Sequence, residues 1–131
     1  MTRLLLDTTF LVDAERARHD LDTLIDEDDD VAIAAISIAE LRVGVLLADE
    51  RRRLGRQSFV DDALSVIHVV DYDRNVAAVH AELLVEVRDR GSPRGAHDLI
   101  IAATARCTRR TVVTNDASAF TELTGVTVRS H

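Results

Sequence analysis

The stretch Leu4-Leu5-Leu6-Asp7-Thr8-Thr9-Phe10-Leu11-Val12 changes character at its fourth residue. Three consecutive leucines suit a short strand covered on both faces. Asp7 ends the run, and Thr8-Thr9 leads into a helix expected over Phe10–Arg16. The rest of the chain repeats this alternation. Val31–Ile36, Val66–Val70, Thr111–Val113 and Val126–Val128 read as four further strands, near-continuously apolar. Between them, Arg74–Arg90 places Val76, His80, Leu83, Leu84 and Val87 on one stripe, with Arg74, Glu82, Glu86 and Asp89 outside it and Gly91 as a stop. Strand and helix in alternation imply a parallel sheet with right-handed crossovers. The expected fold class is therefore α/β, a single three-layer α/β/α domain over residues 1–131 around a central parallel five-stranded sheet.

Composition narrows the function. A chain of 131 residues buries roughly two-thirds of its unfolded surface, enough for one hydrophobic core. No apolar run reaches the roughly 18 residues of a membrane span, and Asp7 interrupts the N-terminus before a signal-peptide core could form. A cytoplasmic protein without membrane contact is expected. One cysteine, Cys107, excludes an intrachain disulfide and a multi-thiolate zinc site, and reads as a small apolar filler in its helix. The net charge of -7 sits entirely at the front, where residues 1–30 hold ten acids against three arginines, while the remainder balances at thirteen and thirteen. All 16 basic residues are arginine. A nucleic-acid binder working by bulk electrostatics carries a basic domain, which this chain lacks. The run Asp26-Glu27-Asp28-Asp29-Asp30 is not a calcium loop, because Val31 and Ser37 stand where its glycine and closing glutamate belong; it reads as a solvated helix end. The five glycines are too scattered for a nucleotide-binding loop.

In open α/β sheets, ligands bind outside the carboxyl ends of the strands. Four acids fall there: Asp7 after the first strand, Glu40 in Ser37-Ile38-Ala39-Glu40-Leu41 after the second, Asp98 at the start of the very apolar helix Gly95–Ala103, and Asp116 in Val113-Thr114-Asn115-Asp116 after the fourth. Each has a structural alternative. Asp7 suits an N-cap, Ser37-x-x-Glu40 a capping box, Asp98 the positive end of a helix dipole, and Asp116 an Asx-turn. Together they would converge on one end of one sheet, and unit charges about 4 Å apart repel by roughly 4 kcal/mol at an effective dielectric of 20. A stable fold gathers such charges around a cation. Oxygen donors without a cysteine pair or clustered histidines favour Mg²⁺ or Mn²⁺ over zinc. Such ions serve phosphate chemistry: they orient the ester, generate hydroxide from water and stabilise the leaving oxygen.

The blocks Leu4–Val12, Ser37-Ile38-Ala39-Glu40-Leu41-Arg42-Val43-Gly44, His97-Asp98-Leu99-Ile100-Ile101-Ala102-Ala103-Thr104-Ala105 and Val113–Asp116 resemble, in order and spacing, the four acidic motifs of PIN-domain ribonucleases. Length and order are similar to the VapC-like toxins of bacterial toxin–antitoxin pairs. The resemblance implies a PIN-like fold in which Asp7, Glu40, Asp98 and Asp116 are the catalytic metal ligands for Mg²⁺ or Mn²⁺, with Thr8 and Thr114 as nearby hydroxyls. It implies hydrolysis of RNA phosphodiesters by a metal-activated water, leaving 5′-phosphate and 3′-hydroxyl ends, with inhibition of translation and growth as the outcome. The implied partners are tRNA, rRNA or mRNA, a VapB-like antitoxin that covers the acidic mouth, and a second copy in a homodimer. One departure is Ala119 before Phe120, where many relatives carry a further acid; it leaves Asp116 as the only acid near that strand end.

Rival assignments fail on residue chemistry. A phospho-receiver domain needs a lysine after a late strand, and an aspartyl phosphatase needs Asp-x-Asp after the first; neither is present. A PIN-like module that binds RNA or protein without cutting, its acids serving as caps, stays open. Backbone contacts to RNA would come from Arg51, Arg52, Arg53 and Arg56 or from Arg88, Arg90 and Arg94. With one tyrosine, three phenylalanines and no tryptophan, recognition of structured RNA by shape fits better than stacking of unpaired bases. Leu41, Val45, Leu46 and Leu47 offer either a groove for a partner helix or core packing. His97 adjoins Asp98 and reads as structural or as an aid to proton transfer.

Overall fold

The computed structural model describes residues 1–16 and 26–130, and the structural statements below concern these residues. Strand β1 (Arg3–Leu6) leads into α1 (Thr8–Arg16). Strand β2 (Asp30–Ala34) runs directly into α2 (Ala35–Leu47), followed by α3 (Glu50–Val66), β3 (His68–Val70), α4 (Arg74–Arg90) and α5 (Ala96–Thr108). The chain then forms β4 (Thr111–Thr114), a 3₁₀ turn (Ala117–Ala119) and β5 (Val128–Ser130). The strands lie in the order β3-β2-β1-β4-β5, every ladder parallel. From central β1 the chain builds outward through β2 to β3, then crosses to β4 and β5 on the other side. The gap between the ends of β1 and β4 is thus the topological switch point, where such sheets form a crevice.

Alternation along the strands sets the layers. Leu4, Leu6, Ile33 and Val113 pack with Phe10, Leu11, Leu41, Val45, Val60 and Ala63, from α1, α2 and α3. Leu5, Ala32, Ala34 and Val112 face the other way, onto Val76, Leu83, Val87, Leu99, Ala102 and Phe120. Successive side chains on opposite faces of one sheet, each face covered by helices, give the expected α/β/α sandwich. Leu4, Leu5 and Leu6 are completely buried, each contributing roughly 1.5–3 kcal/mol by removal from water.

Helix α4 has the expected bounds. The Asp73 carboxylate accepts a hydrogen bond from Val76 N at its start, and Gly91 closes it with φ 62, its N–H donating to Val87 O and Arg88 O. Several boundaries differ from expectation. Ala35 and Ile36 open α2 rather than extending β2, because an apolar run buried on all sides carries no period that separates strand from helix. Val66 is the last residue of α3. The fifth strand begins two residues late, since the turn that bonds Val126 N to Leu123 O, with Gly125 at φ 76, delays pairing until Val128 meets Val112. Within the acidic run the described residues form a solvated turn, with Asp29 N donating to Asp26 O at 3.0 Å and Asp30 already in β2; the helix whose end this run was expected to be lies outside the described residues. Cys107 packs against the α4–α5 side of the core, as a filler would.

At the amino end of the sheet, the buried Arg110 guanidinium ties strands together. Its Nη1 donates to Asp30 Oδ1 at 3.0 Å, Asp30 O at 2.8 Å and Leu4 O at 3.3 Å, and Arg3 Nη1 lies 3.2 Å from Asp30 Oδ2. The hydrogen bond from Arg110, chief among these influences, holds the Asp30 carboxyl below its ordinary value of 3.8. A carboxyl whose folded pKa is depressed stabilises the fold above its unfolded pKa and loses that contribution as pH falls through the folded one. Arg110→Met is expected to lower the melting temperature at neutral pH and to flatten the loss of stability on acidification below 3.8. Thermal melts from pH 2 to 7 check both.

Candidate active site

Asp7 follows β1 at the switch point and is 2% exposed. Its main chain continues the sheet, with Asp7 N donating to Val113 O at 2.9 Å, and its carbonyl starts α1 by accepting from Leu11 N. The carboxylate is held by three donors, each at 2.8 Å: Thr8 N on Oδ1, and Thr9 Oγ1 and Thr114 Oγ1 on Oδ2. An ionised carboxylate offers about four acceptor positions, so Asp7 keeps one free. Thr114 also accepts from Asp116 N at 2.9 Å, which turns the chain after β4 and puts Asp116 at the same mouth. Asp116 makes no Asx-turn: it precedes the 3₁₀ turn without a side-chain cap, and its Oδ1 accepts instead from the Ser118 hydroxyl at 2.7 Å.

Glu40 is not part of a capping box. Helix α2 starts at Ala35 with no side-chain cap, so Ser37 and Glu40 both lie inside it, and Ser37 is completely buried. The Thr8 hydroxyl shares its proton between Ser37 Oγ and Glu40 Oε1, both at 3.0 Å. Asp98 occupies the first turn of α5. That helix is separated from the parallel strand β4 by two residues, so it runs antiparallel to the sheet and must begin at the carboxyl end. Asp98 titrates above its ordinary value of 3.8, through desolvation first and then through repulsion from Asp7, Glu40 and Asp116 in that order, with His97 opposing. All four sequence-derived acids therefore share one electrostatic neighbourhood.

Little opposes their charge. Among the described residues no arginine pairs with any of the four, and the one ionic contact is His97 Nδ1 at 3.7 Å from Glu40 Oε2. His97 is more than half exposed, so it belongs to the rim of the site and not to the core. Among the described residues no three acid, imidazole or thiol groups are yet drawn close enough to grip an ion as they stand. The donor set nonetheless suits a hard divalent cation: oxygen only, net negative and partly desolvated.

A cleft of about 350 Å³ opens here, lined by Thr8, Thr9, Val12, Asp13, Arg16, Glu40, Asn115 and Asp116. Five of these were not anticipated. Thr9, Val12 or Asp13, and Arg16 repeat every three to four residues along one face of α1, a spacing that marks them from sequence once Asp7 is placed at the mouth. Asn115 Nδ2 bonds the Asp13 carboxylate, a nonlocal pairing with no sequence signal. The expected phosphate-binding arginines are mostly engaged elsewhere. Arg53 donates to Leu46 O and Ala48 O, Arg56 to Gly44 O, Arg90 to Glu122 O, and Arg94 to Ser92 and Thr121 carbonyls. Among the described residues, Arg16 is the arginine that lines the cleft.

The PIN domain family matches residues 4–125. The chain is a PIN domain. Ribonuclease VapC2 of Rickettsia felis is 31% identical over 97 residues, covering 74% of this PIN domain and 71% of the relative. The crystal structure of VapBC2 from Rickettsia felis bound to a DNA fragment from their promoter superposes with a TM-score of 0.90 at 26% identity over 99% of both chains. VapBC-5 of Mycobacterium tuberculosis, a member of the VapBC family of toxin-antitoxin systems, gives a TM-score of 0.81 at 26% identity over 100% of each. Among the described residues no helix of the PIN domain is long and apolar enough to cross a membrane.

Two outcomes follow from the site's electrostatics. A carboxyl with a raised folded pKa makes the fold lose stability as pH rises from its unfolded value through the folded one. The favourable helix-dipole interaction of a first-turn acid, about 0.3–1 kcal/mol, is thus outweighed at Asp98. Asp98→Asn is expected to melt higher than wild type in chelator at neutral pH and to lose the decline in stability as pH rises above 3.8. Thr114→Val removes a donor to the buried Asp7 carboxylate and is expected to cost about 1.5–3 kcal/mol, the range for a hydrogen bond to a charged group, measured by urea denaturation.

Proposed function

We propose that the chain is a divalent-cation-dependent endoribonuclease, the toxin of a VapBC-type pair, that hydrolyses RNA phosphodiesters and thereby inhibits translation. The observation that carries this is the set of four mutually repelling carboxylates at the switch point, of which Glu40 and Asp116 line the cleft, with no arginine paired to any of them among the described residues. The VapC2 relative, a ribonuclease by name, supports the same reaction. Asp7, Glu40, Asp98 and Asp116 would hold Mg²⁺ or Mn²⁺. Bound there, such an ion would orient the scissile phosphate, promote attack by water and balance charge on the leaving oxygen. The chain's own residues prepare the site. Thr9 and Thr114 fix the Asp7 carboxylate and Thr8 fixes Glu40, so few rotamers remain to be ordered when RNA arrives. Arg16 supplies positive charge on the cleft wall for a backbone phosphate.

The antitoxin partner has a physical basis next to this cleft. A groove of about 210 Å³ between α1, α2 and α3 is lined chiefly by Val12, Leu41, Val45, Phe59, Val60 and Arg56, and it shares Glu40 and Arg16 with the acidic mouth. Leu41 and Val45 are core residues at its floor, whereas Leu46 and Leu47 are 71% and 81% exposed. An amphipathic antitoxin helix seated there would reach the carboxylates with an arginine and displace the cation. Exposed Leu84 and Val85 on α4 offer apolar surface for a homodimer.

Purified protein is expected to cleave structured RNA with Mg²⁺ or Mn²⁺ and to stop with EDTA. Asp7→Asn and Asp98→Asn are each expected to reduce the rate by more than about 100-fold, above the 10- to 100-fold typical of outer-shell changes, with an unchanged circular-dichroism spectrum. Wild-type turnover by either folded variant contradicts the assignment, and wild-type protein that binds RNA without cutting it favours the non-catalytic module.

A further inference from the structure

We propose that Gly95 is a positioning residue for Asp98, its missing side chain being the space that lets the Asp98 carboxylate occupy its place at the mouth of the sheet. This rests on Asp98 serving as a cation ligand. Gly95 is the N-cap of α5, with φ -58 and ψ 143, a conformation open to any residue. Backbone freedom does not call for glycine here. Space does: a Cβ at this position would lie 2.7 Å from Asp98 Oδ2 and 3.4 Å from its Cγ, whereas close C···O contacts run about 3.3–3.6 Å.

No other glycine has this relation to the acidic mouth. Cβ atoms on Gly44, Gly55 and Gly91 would meet nothing within 4 Å, and Gly125, which meets Arg106 at 3.0 Å, is already required by its φ of 76. Glycine is itself an accepted N-cap, but serine, threonine, aspartate and asparagine also bond the first turn through their side chains, a bond that α5 lacks. The helix forgoes that bond at the one position where any Cβ would strike Asp98. The turn before it is restrained as well. Arg94 anchors the preceding turn by donating to Thr121 O at 3.1 Å, Ser92 O at 3.0 Å and Ser92 Oγ at 2.8 Å. The carboxylate is the far end of a side chain with two torsions, so it yields first. A Cβ at position 95 would leave the fold standing and turn Asp98 away from Asp7, Glu40 and Asp116.

The experiment measures Mn²⁺ binding to RNA-free protein by electron paramagnetic resonance, with metal-free melting curves, for wild type, Gly95→Ala, Asp98→Ala and the double variant. Asp98→Ala is expected to lose Mn²⁺ binding. Gly95→Ala is expected to keep the wild-type circular-dichroism spectrum while its Kd for Mn²⁺ rises about 10- to 100-fold, as for other residues that orient metal ligands. The change in melting temperature from Gly95→Ala should differ between the wild-type and Asp98→Ala backgrounds, because the N-cap effect of alanine is common to both and only the contact is not. Wild-type Mn²⁺ affinity in Gly95→Ala, with affinity lost in Asp98→Ala, overturns the proposal alone. Wild-type affinity in Asp98→Ala, or none in wild type, overturns the cation reading beneath it. If Gly95→Ala fails to fold, a folded double variant supports the contact as the cause and an unfolded one refutes it.

Discussion

A carboxylate buried at the junction of β1 and β4 organises this molecule. Asp7 is 2% exposed, and a buried charge is tolerated only with its acceptor positions filled. Thr8, Thr9 and Thr114 fill three of them, and each donor also serves the fold. Thr8 N and Thr9 lie in the first turn of α1, so the carboxylate pins the helix to the strand before it. Thr114 ends β4 and fixes the turn that carries Asp116. The bond between Asp7 N and Val113 O crosses the same junction. Strand order places the crevice here, and the buried acid determines which groups line it.

The other acids add repulsion that the rest of the structure must sustain. Asp98 shows this directly, since burial and then the charges of Asp7, Glu40 and Asp116 raise its pKa. Packing far from the site holds the arrangement: fully buried Leu4–Leu6 and the two cores on either face keep β1 central, and the Arg110–Asp30 pair closes the opposite end of the sheet. Charge is thus segregated along the strand axis. Arginine neutralises acid at the amino end, whereas at the carboxyl end, among the described residues, the one ionic contact to the four carboxylates is that of His97 with Glu40. An ion pair to arginine would stabilise the mouth, but it would also occupy the oxygens a cation needs.

The parts of this arrangement legible in the sequence are those encoded by local pattern. Three leucines followed by Asp7 mark a strand end, the stripe from Val76 to Val87 with Gly91 after it marks α4, and acids after successive apolar runs converge in any parallel sheet. What escaped is nonlocal. Ser37 and Glu40 have capping-box spacing, but the helix starts earlier because Ala34 turns directly into it, and their partner is Thr8, 29 and 32 residues away. Arginines that looked free for RNA are spent on backbone carbonyls that only tertiary folding brings within reach. The role of Arg16 and Thr9 needed the face of α1 to be fixed first. Gly95 has a negative φ, so no turn rule flags it; its constraint exists only once Asp98 has a rotamer.

A Mn²⁺ soak of a crystal of the protein, read by anomalous difference density, tests the central claim most directly. The expected result is a peak among the Asp7, Glu40, Asp98 and Asp116 carboxylates, within roughly the 2.1 Å of hard-cation coordination of oxygens from at least two of them. A crystal saturated with Mn²⁺ whose density lies elsewhere, with this cleft empty, would contradict it.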